Sequence, residues 1–426
     1  MGVETVSPKA EPGKPEDSYT LALGLDTGPI STEPYISPEF YELERQQVFG
    51  RAWLAMGRAE QVPEPGSYIV RELEVCNASV LIVRQKTGDV QAFHNVCSHR
   101  QNLVMNDTAG RASRFTCRYH SWTFGTDGRL LSVPDEPRFF GLDKKQCGLT
   151  PIATEVWQGW IFINMQPEPE VTLAEFLGEF GAFYKDVPFP GSGHSLKFEA
   201  RLDANWKVIS DAFAESYHVP SIHNKTLRPA FSNPSNPFAR PIRAAAWGPH
   251  SAYSAFANLD YAPPDHAHGE RLAYRSGASN NIISPSGAKD IEKLLGHPSI
   301  NPDKRQEWCS DANIIFPNFH MDVSFGGFFI HHFWPTSHRS TRWVAEYFME
   351  PCLDFQTRLQ QEYYAIRNME VLLEDIGNTE RVQKGMETRA KPSVYLQDGE
   401  VIIRQLQHHI GKWVRADSVR DALAAD

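Results

Sequence analysis

Cys97 and His99, followed after seventeen residues by Cys117 and His120, form the pattern C-x-H-x17-C-x2-H, and nothing else in the chain constrains its fold so tightly. Each of two short loops supplies one thiolate and one imidazole, so the fold must bring the loops face to face. That donor set suits a mixed-ligand [2Fe-2S] cluster, with both sulfurs on one iron and both nitrogens on the other. Neutral imidazoles in place of two thiolates raise the reduction potential, which fits single-electron delivery to a moderately oxidising acceptor. Tetrahedral zinc in Cys2His2 ligation is the alternative, although a zinc finger usually sets its two Cys together and then its two His.

The remaining composition narrows the class. A formal net charge of −10 argues against general binding to nucleic acid or to an anionic membrane. Of six cysteines, at 76, 97, 117, 147, 309 and 352, four stand outside the motif and singly, as buried small hydrophobes of a reducing cytoplasm would. The N-terminus has no apolar signal core, no stretch approaches the length of a membrane span, and Val6 stands where a myristoylation signal wants Ser or Thr. A cytoplasmic location follows as the expectation.

Three regions are expected along the chain. Residues 1–36 read as an N-terminal arm, partly disordered because its start is rich in Pro, Lys and Glu. Residues 37–165 begin with an amphipathic helix over 37–53, with Ser37 and Pro38 as cap and first-turn residues. Short β runs at 67–70, 79–83, 90–93 and 160–163 follow, so the cluster loops sit on a small all-β domain. Residues 166–426 mix strands and helices: a helix over 205–218, strands over 313–319, 328–334 and 342–349, and a long helix over 354–384. The apolar stripe expected on that helix is Leu359, Tyr363, Ile366, Met369, Leu373 and Ile376. Residues 230–305, dense in Ser, Pro, Asn, Gly and His, read as an irregular stretch serving as a lid or partly disordered. The fold class is α+β, a sheet gripping a long helix over a pocket.

His218 and His223 suggest a second metal site. On a continuous helix five residues turn the side chain through about 140°, which would separate the imidazoles, but Pro220 interrupts the helix and lets them meet. A third ligand is sought in Glu374-Asp375, at the edge of the long helix's apolar face, where a carboxylate is costly unless it binds something. Two histidines and a carboxylate would make the facial triad of a non-haem Fe(II) oxygenase; a salt-bridged Asp375 is the competing reading.

Taken together, the segments Asn95–Arg100 and Cys117–Trp122, the Asn205-Trp206-Lys207 run, the Glu215-Ser216-Tyr217-His218-x4-His223 block and Glu374-Asp375 resemble, in order and from about residue 35 to 413, the α subunits of Rieske non-haem iron ring-hydroxylating oxygenases. The resemblance implies a Rieske domain joined to a helix-grip (START-like) catalytic domain with an antiparallel sheet and a long C-terminal helix. It implies that Cys97 and Cys117 hold one cluster iron and His99 and His120 the other, while His218, His223 and Asp375 hold a mononuclear Fe(II). Glu215 takes the place of an acidic residue that links the first iron histidine to the second cluster histidine of a neighbouring subunit, one methylene longer than the usual Asp. Such a bridge implies a ring of subunits, a homotrimer, with a β subunit as a further component of some relatives. The family usually has Gly where this chain has Gln101 and often where it has Ser121, which bears on loop geometry.

The chemistry expected is that of a terminal oxygenase taking O2 and a small-molecule substrate. No G-x-G-x-x-G follows a strand, so electrons must come from a separate NAD(P)H-dependent reductase, with or without a ferredoxin. Glu215 and Asp211 are the candidate catalytic carboxylates, Asp211 lying two helical turns before His218. Phe213, Phe316 and Phe328 are the candidate substrate contacts, with Phe333 and Trp334 nearby. Such rings could receive an apolar aromatic or alicyclic molecule, the preferred reading, or hold a trimethylammonium group by cation-π attraction, as in quaternary ammonium monooxygenases. The pairs His266/His268 and His331/His332 are left unassigned, the latter because neighbours on a strand face opposite ways. A bare Rieske electron carrier would leave the second half of the chain unexplained, and a zinc-stabilised lipid-binding protein would need no iron.

Overall fold

The computed structural model describes residues 18–189, 194–275, 291–324, 327–349 and 354–424. The chain divides into two compact units, Leu43–Phe176 with Ala416–Asp421, and Met1–Glu42 with Leu177–Arg415 and Ala422–Asp426. The division therefore falls at 176/177, past the expected 165/166. Gly178, at φ 50°, breaks the helical run Leu173–Phe183 just beyond that point, in a conformation only glycine adopts cheaply.

The smaller unit is all-β. Its antiparallel sheet runs in the order Leu54–Arg58, Trp160–Asn164, Pro151–Trp157, Val90–His94, Ala78–Arg84, Ser67–Leu73 and Ala109–Arg111. Ala78–Arg84 is apolar on both faces and buried at all but its last residue, as a strand covered on two sides must be. A second, three-stranded sheet joins Arg114–Thr116, Thr123–Gly125 and Leu130–Ser132. The Cys117 loop is the turn between the first two of these strands, and the Cys97 loop leaves the end of Val90–His94. Phe93, Phe115, Trp122 and Phe124 pack around both cysteines.

The larger unit holds a seven-stranded antiparallel sheet in the order His194–Leu202, Ser340–Met349, Gly327–Ser337, Phe319–Ser324, Trp308–Ile315, His250–Phe256 and Arg243–Trp247. The long helix Phe355–Glu387 packs on the short helix Trp206–Ala212, which in turn meets the sheet. This is the expected α+β arrangement.

Several local expectations change. The arm is structured from Ser18: Ser18 caps a short helix, and Ile30–Ser31 pairs with Ser393–Val394; its first 17 residues lie outside the described part. The opening helix runs from Pro38 to Phe49, shorter than 37–53, and widens after Leu43 to an i→i+5 pattern. Of residues 230–305, 276–290 lie outside the described part, and the rest is no plain loop, because it contains the hairpin Arg243–Trp247/His250–Phe256. Its Ala and Ser residues carry little β signal, and its pairing with Trp308–Ile315 supplies what local propensity lacks. The strand expected at 313–319 divides: residues 313–315 end Trp308–Ile315 and Phe319 opens the next strand, with a turn between them at Pro317, which has no N–H to give a ladder.

The long helix buries a different face from the one its apolar spacing suggests. Ile366 and Leu373 are 56% and 57% exposed, whereas Gln361, Tyr364, Leu372, Asp375, Thr379 and Gln383 are buried. The mostly polar face turns inward because it finds partners: Gln383 Oε1 accepts from the Asn205 N–H at 2.9 Å, and Asp375 meets the histidine pair.

Cysteines 76, 97, 117, 147 and 309 are all free, with Cys76 and Cys147 only half-buried, and Cys352 lies outside the described residues. Among the described residues no helix is long and apolar enough to cross a membrane.

Candidate metal centres

The two loops of the smaller unit are near copies of one another. In the first, Gln101 N–H donates to Cys97 O and Cys97 N–H to Asn102 O, both at 2.9 Å; in the second, Ser121 N–H donates to Cys117 O and Cys117 N–H to Trp122 O, again both at 2.9 Å. Each tight turn requires one residue of positive φ, supplied by Gln101 at 57° and Ser121 at 57°. These are the two places where glycine is usual, so the turn is kept and the chain bears the left-handed cost of a side chain, about 1–2 kcal/mol at each. Ser121→Gly is expected to leave stability within about 1 kcal/mol, relief of strain offsetting added chain entropy. Ser121→Val, β-branched at that φ, should cost about 1–3 kcal/mol and shed cluster, read by thermal unfolding and visible absorbance.

The donors sort by element. Cys97 and Cys117 are buried with their thiols hydrogen-bonded to one another, and Asn102 Nδ2 lies 3.6 Å from Cys117 Sγ. His99 and His120 meet ring to ring at 4.5 Å, with His99 stacked on Trp122. Each imidazole leaves its Nδ1 buried and without a hydrogen-bond partner. Two unpaired buried ring nitrogens beside two buried sulfurs fit a group that ligates all four. Around one zinc ion every donor pair would be within about 4 Å, given bonds of roughly 2.0–2.3 Å. Among the described residues the only three metal-binding donors within 4.8 Å of one another belong to His218, His223 and Asp375, so no three donors of the loop quartet come that close. Sulfurs paired with sulfurs and imidazoles with imidazoles suit a larger, two-iron core.

In the larger unit, Asn205 caps the helix Trp206–Ala212 by accepting from Lys207 N–H. The helix ends there, and not at 218 as expected, so Asp211 and His218 do not share a helical face. Phe213–His218 turns back instead, and His218 N–H donates at 3.1 Å to Glu215 Oε2 in place of a helical carbonyl. The short helix Val219–Ile222, opened by Pro220, then returns His223 to His218.

The resulting geometry is a triangle. His218 Nε2 and His223 Nε2 are 3.1 Å apart, and Asp375 Oδ1 lies 3.1 Å from the second and 3.6 Å from the first. Metal–ligand bonds of about 2.0–2.2 Å at near-right angles give edges of roughly 3 Å, leaving the opposite face open. Each histidine is held from behind by a carboxylate: Glu215 Oε1 on His218 Nδ1, and Glu374 Oε2 at 2.6 Å on His223 Nδ1. These contacts place the protons on Nδ1 and turn the Nε2 lone pairs to the shared point, as in carboxylate–histidine–metal triads. Glu374 also accepts from Thr226 Oγ1 at 2.6 Å. Its role escaped the sequence reading, although adjacency to Asp375 was a signal: neighbours on a helix diverge by about 100°, so one meets the metal while the other reaches sideways to a ligand. Glu374→Ala is expected to weaken iron binding about 10–100-fold, measured by titration of the apoprotein with Fe(II).

Asp211 does not join this site. It is half-buried with its Oδ1 enclosed, accepts from Tyr35 Oη at 2.7 Å, and desolvation pushes its carboxyl up to about 7 despite that hydrogen bond. The folded chain therefore holds a proton there that the unfolded chain loses near pH 4, so stability falls as pH rises from about 4 through 7. Asp211→Asn should flatten that fall by a few kcal/mol, on the order of the shift itself, in urea unfolding at pH 5 and pH 8.

A cavity of about 130 Å³ opens on the triangle, walled by Phe213, Phe231, Tyr253, Phe329 and Tyr347 and by Glu215, Asp322 and His331. Phe213 is where it was expected. Phe316 and Phe328 are not in the wall: Phe316, 1% exposed, packs on Trp413, and Phe328, 3% exposed, packs between Phe189 and Phe348. Phe333 is fully buried and Trp334 stacks on His332, so both serve the core. His266 and His268 line a separate surface groove and, among the described residues, have no third metal-binding donor within reach.

Comparison with known proteins agrees with this geometry. Residues 52–151 match the Rieske [2Fe-2S] domain, and residues 191–416 match the ring hydroxylating alpha subunit catalytic domain. The chain is 33% identical over 214 residues to choline monooxygenase, chloroplastic, of Spinacia oleracea, covering 49% of this chain and 46% of the relative. It is 35% identical over 199 residues to the large oxygenase component of the naphthalene 1,2-dioxygenase system of Pseudomonas aeruginosa, covering 45% of this chain and 43% of the relative. The alignments thus span about half the length of these relatives. Naphthalene 1,2-dioxygenase from Rhodococcus sp., bound to indole, superimposes with a TM-score of 0.72 over 92% of this chain and 95% of that one, at 19% identity.

Proposed function

Because the chain belongs to the family of Rieske-type ring-hydroxylating oxygenase α subunits, we propose that it is the terminal oxygenase of a multicomponent system acting on a quaternary ammonium molecule. The observation that carries the substrate reading is the wall of the cavity: five aromatic rings, one carboxyl group, that of Asp322, beyond the Asp375 and Glu215 carboxylates of the metal site and, among the described residues, no Lys or Arg. Aromatic faces and a carboxyl beyond those of the metal site together attract a cation, whereas an apolar ring would need no such further group. The preference for a ring substrate draws on a lid and on apolar strands around an inferred cavity, and two rings of those strands, Phe316 and Phe328, lie in the core. Choline monooxygenase among the relatives supports the same reading.

When bound, the Rieske cluster and the mononuclear iron supply single-electron delivery and reductive use of O2. The protein's own groups do the rest. His218, His223 and Asp375 present three donors on one side and leave the cavity side open. Glu215 and Glu374 fix the two imidazoles, and the aromatic wall excludes water and orients the substrate. Glu215 is the proposed electron entry from His120 of the partner subunit, which makes a closed ring of at least three protomers the working assembly. Electrons come from a separate reductase.

The test is a screen for substrate-stimulated O2 uptake with a surrogate reductase, setting choline, glycine betaine and carnitine against naphthalene and its relatives. An ammonium compound is expected to stimulate uptake. Stimulation by ring compounds alone would overturn the substrate reading.

A further inference from the structure

The cavity contains a carboxyl group that neither metal centre uses. Asp322 lies on the strand Phe319–Ser324, between Ala312 and Phe329 of the flanking strands, and is buried. Its Oδ1 has no hydrogen-bond partner, although the group lines the cavity. Its surroundings are polarised toward it without neutralising it: the backbone N–H of Asn313 reaches the carboxyl, and His331 Nε2 is 3.8 Å from Oδ2. Trp343 Nε1–H donates to His331 Nδ1 at 3.1 Å, which leaves the ring's proton on Nε2, facing Asp322. Burial takes His331 down to about 3, so this imidazole is neutral and no ion pair forms. Burial, with a further push from Asp311, holds the Asp322 carboxyl well above the usual range. Among the described residues of the wall no Lys or Arg meets this carboxyl, and a cation beside it would favour its ionised form.

We propose that Asp322 is the counter-ion for the ammonium end of a substrate that is net cationic, a quaternary ammonium molecule with an uncharged tail, and that zwitterionic betaines are disfavoured. The assignment rests on the quaternary ammonium reading above and narrows it. An arriving trimethylammonium group meets the faces of Tyr253, Phe329 and Tyr347 and stabilises the ionised form of Asp322. A substrate carboxylate would instead face Glu215, Asp322 and Asp375, with no described Lys or Arg in the wall to receive it. His331, held by Trp343, positions the Asp322 carboxyl. The adjacent His332 faces the other side of the sheet, stacked on Phe319 and Trp334, so only one of this pair reaches the cavity.

The neutral isostere 3,3-dimethylbutan-1-ol separates shape from charge. Metal-replete protein is titrated calorimetrically under anaerobic conditions with choline, with this alcohol and with glycine betaine. Choline is expected to bind at least about tenfold more tightly than either. Asp322→Asn should abolish the preference for choline over the alcohol while leaving affinity for the alcohol and the thermal midpoint unchanged, and Asp322→Glu should restore much of the preference. Unchanged choline affinity in Asp322→Asn, or betaine binding as tightly as choline to the wild type, would overturn the assignment while leaving the ammonium reading in place. If naphthalene binds and none of the ammonium compounds does, the substrate reading itself falls, and this assignment with it.

Discussion

Asp375→Ala loses about one iron per chain and all substrate-dependent O2 uptake, while the visible spectrum and the reduced-state resonance of the Rieske cluster stay as in the wild type. The loss follows from the triangle. Without the carboxylate, two imidazoles 3.1 Å apart remain, and the site gives up its carboxylate donor. The drop in iron affinity should therefore exceed the 10–100-fold typical of removing a group that merely supports a ligand. The cluster is spared because its four ligands sit in a separate compact unit, on loops held by their own backbone hydrogen bonds. Iron analysis alongside electron paramagnetic resonance of the dithionite-reduced protein reads both halves of the statement. Loss of the cluster signal in this variant would show that the two centres do not fold independently.

Glu215→Gln should separate metal binding from turnover. The glutamine carbonyl can still accept from His218 Nδ1–H, so iron saturation at excess Fe(II) is retained. What disappears is the carboxylate behind His218, which in the native chain steadies the imidazole and is the proposed path for an incoming electron. Turnover is expected to fall by roughly 100-fold or more, at the upper end of the effects of such supporting groups. The discriminating measurement is a single turnover: a pre-reduced cluster should stay reduced after substrate and O2 are added, whereas in the wild type it reoxidises. Prompt cluster reoxidation in the variant would remove Glu215 from the electron path and leave it as a support for His218 alone.

The parts of this protein that were legible from residues alone are those fixed by local chemistry. The loop pattern around Cys97 and Cys117 specifies its ligands because the spacing within each loop already determines a tight turn. His218 and His223 were legible as a pair because Pro220 lies between them. The short strands of the cluster unit were visible in their runs of branched and aromatic residues. The long helix is the instructive failure. Its apolar spacing pointed to Ile366, Met369 and Leu373, but the buried face carries Gln361, Asp375, Thr379 and Gln383, because groups distant in the chain supply hydrogen bonds and donors to that face. The hairpin at 243–256 was missed for a related reason, since alanine and serine enter a sheet only when neighbouring strands provide the pairing.

The sequence by itself nominated the side chains proposed to ligate: the Cys-His loops and the His218/His223 pair by local spacing, and Asp375 by the order of motifs that carries the resemblance. Only the tertiary structure decided what surrounds them. It placed Glu374 behind His223, moved Asp211, Phe316 and Phe328 away from the cavity, and left Asp322 unpaired within it. The physical reason is that ligand identity is a property of single residues and their near neighbours, whereas the wall of a cavity is assembled from strands and helices far apart in the chain. Which face of each element turns inward depends on the partners it finds there.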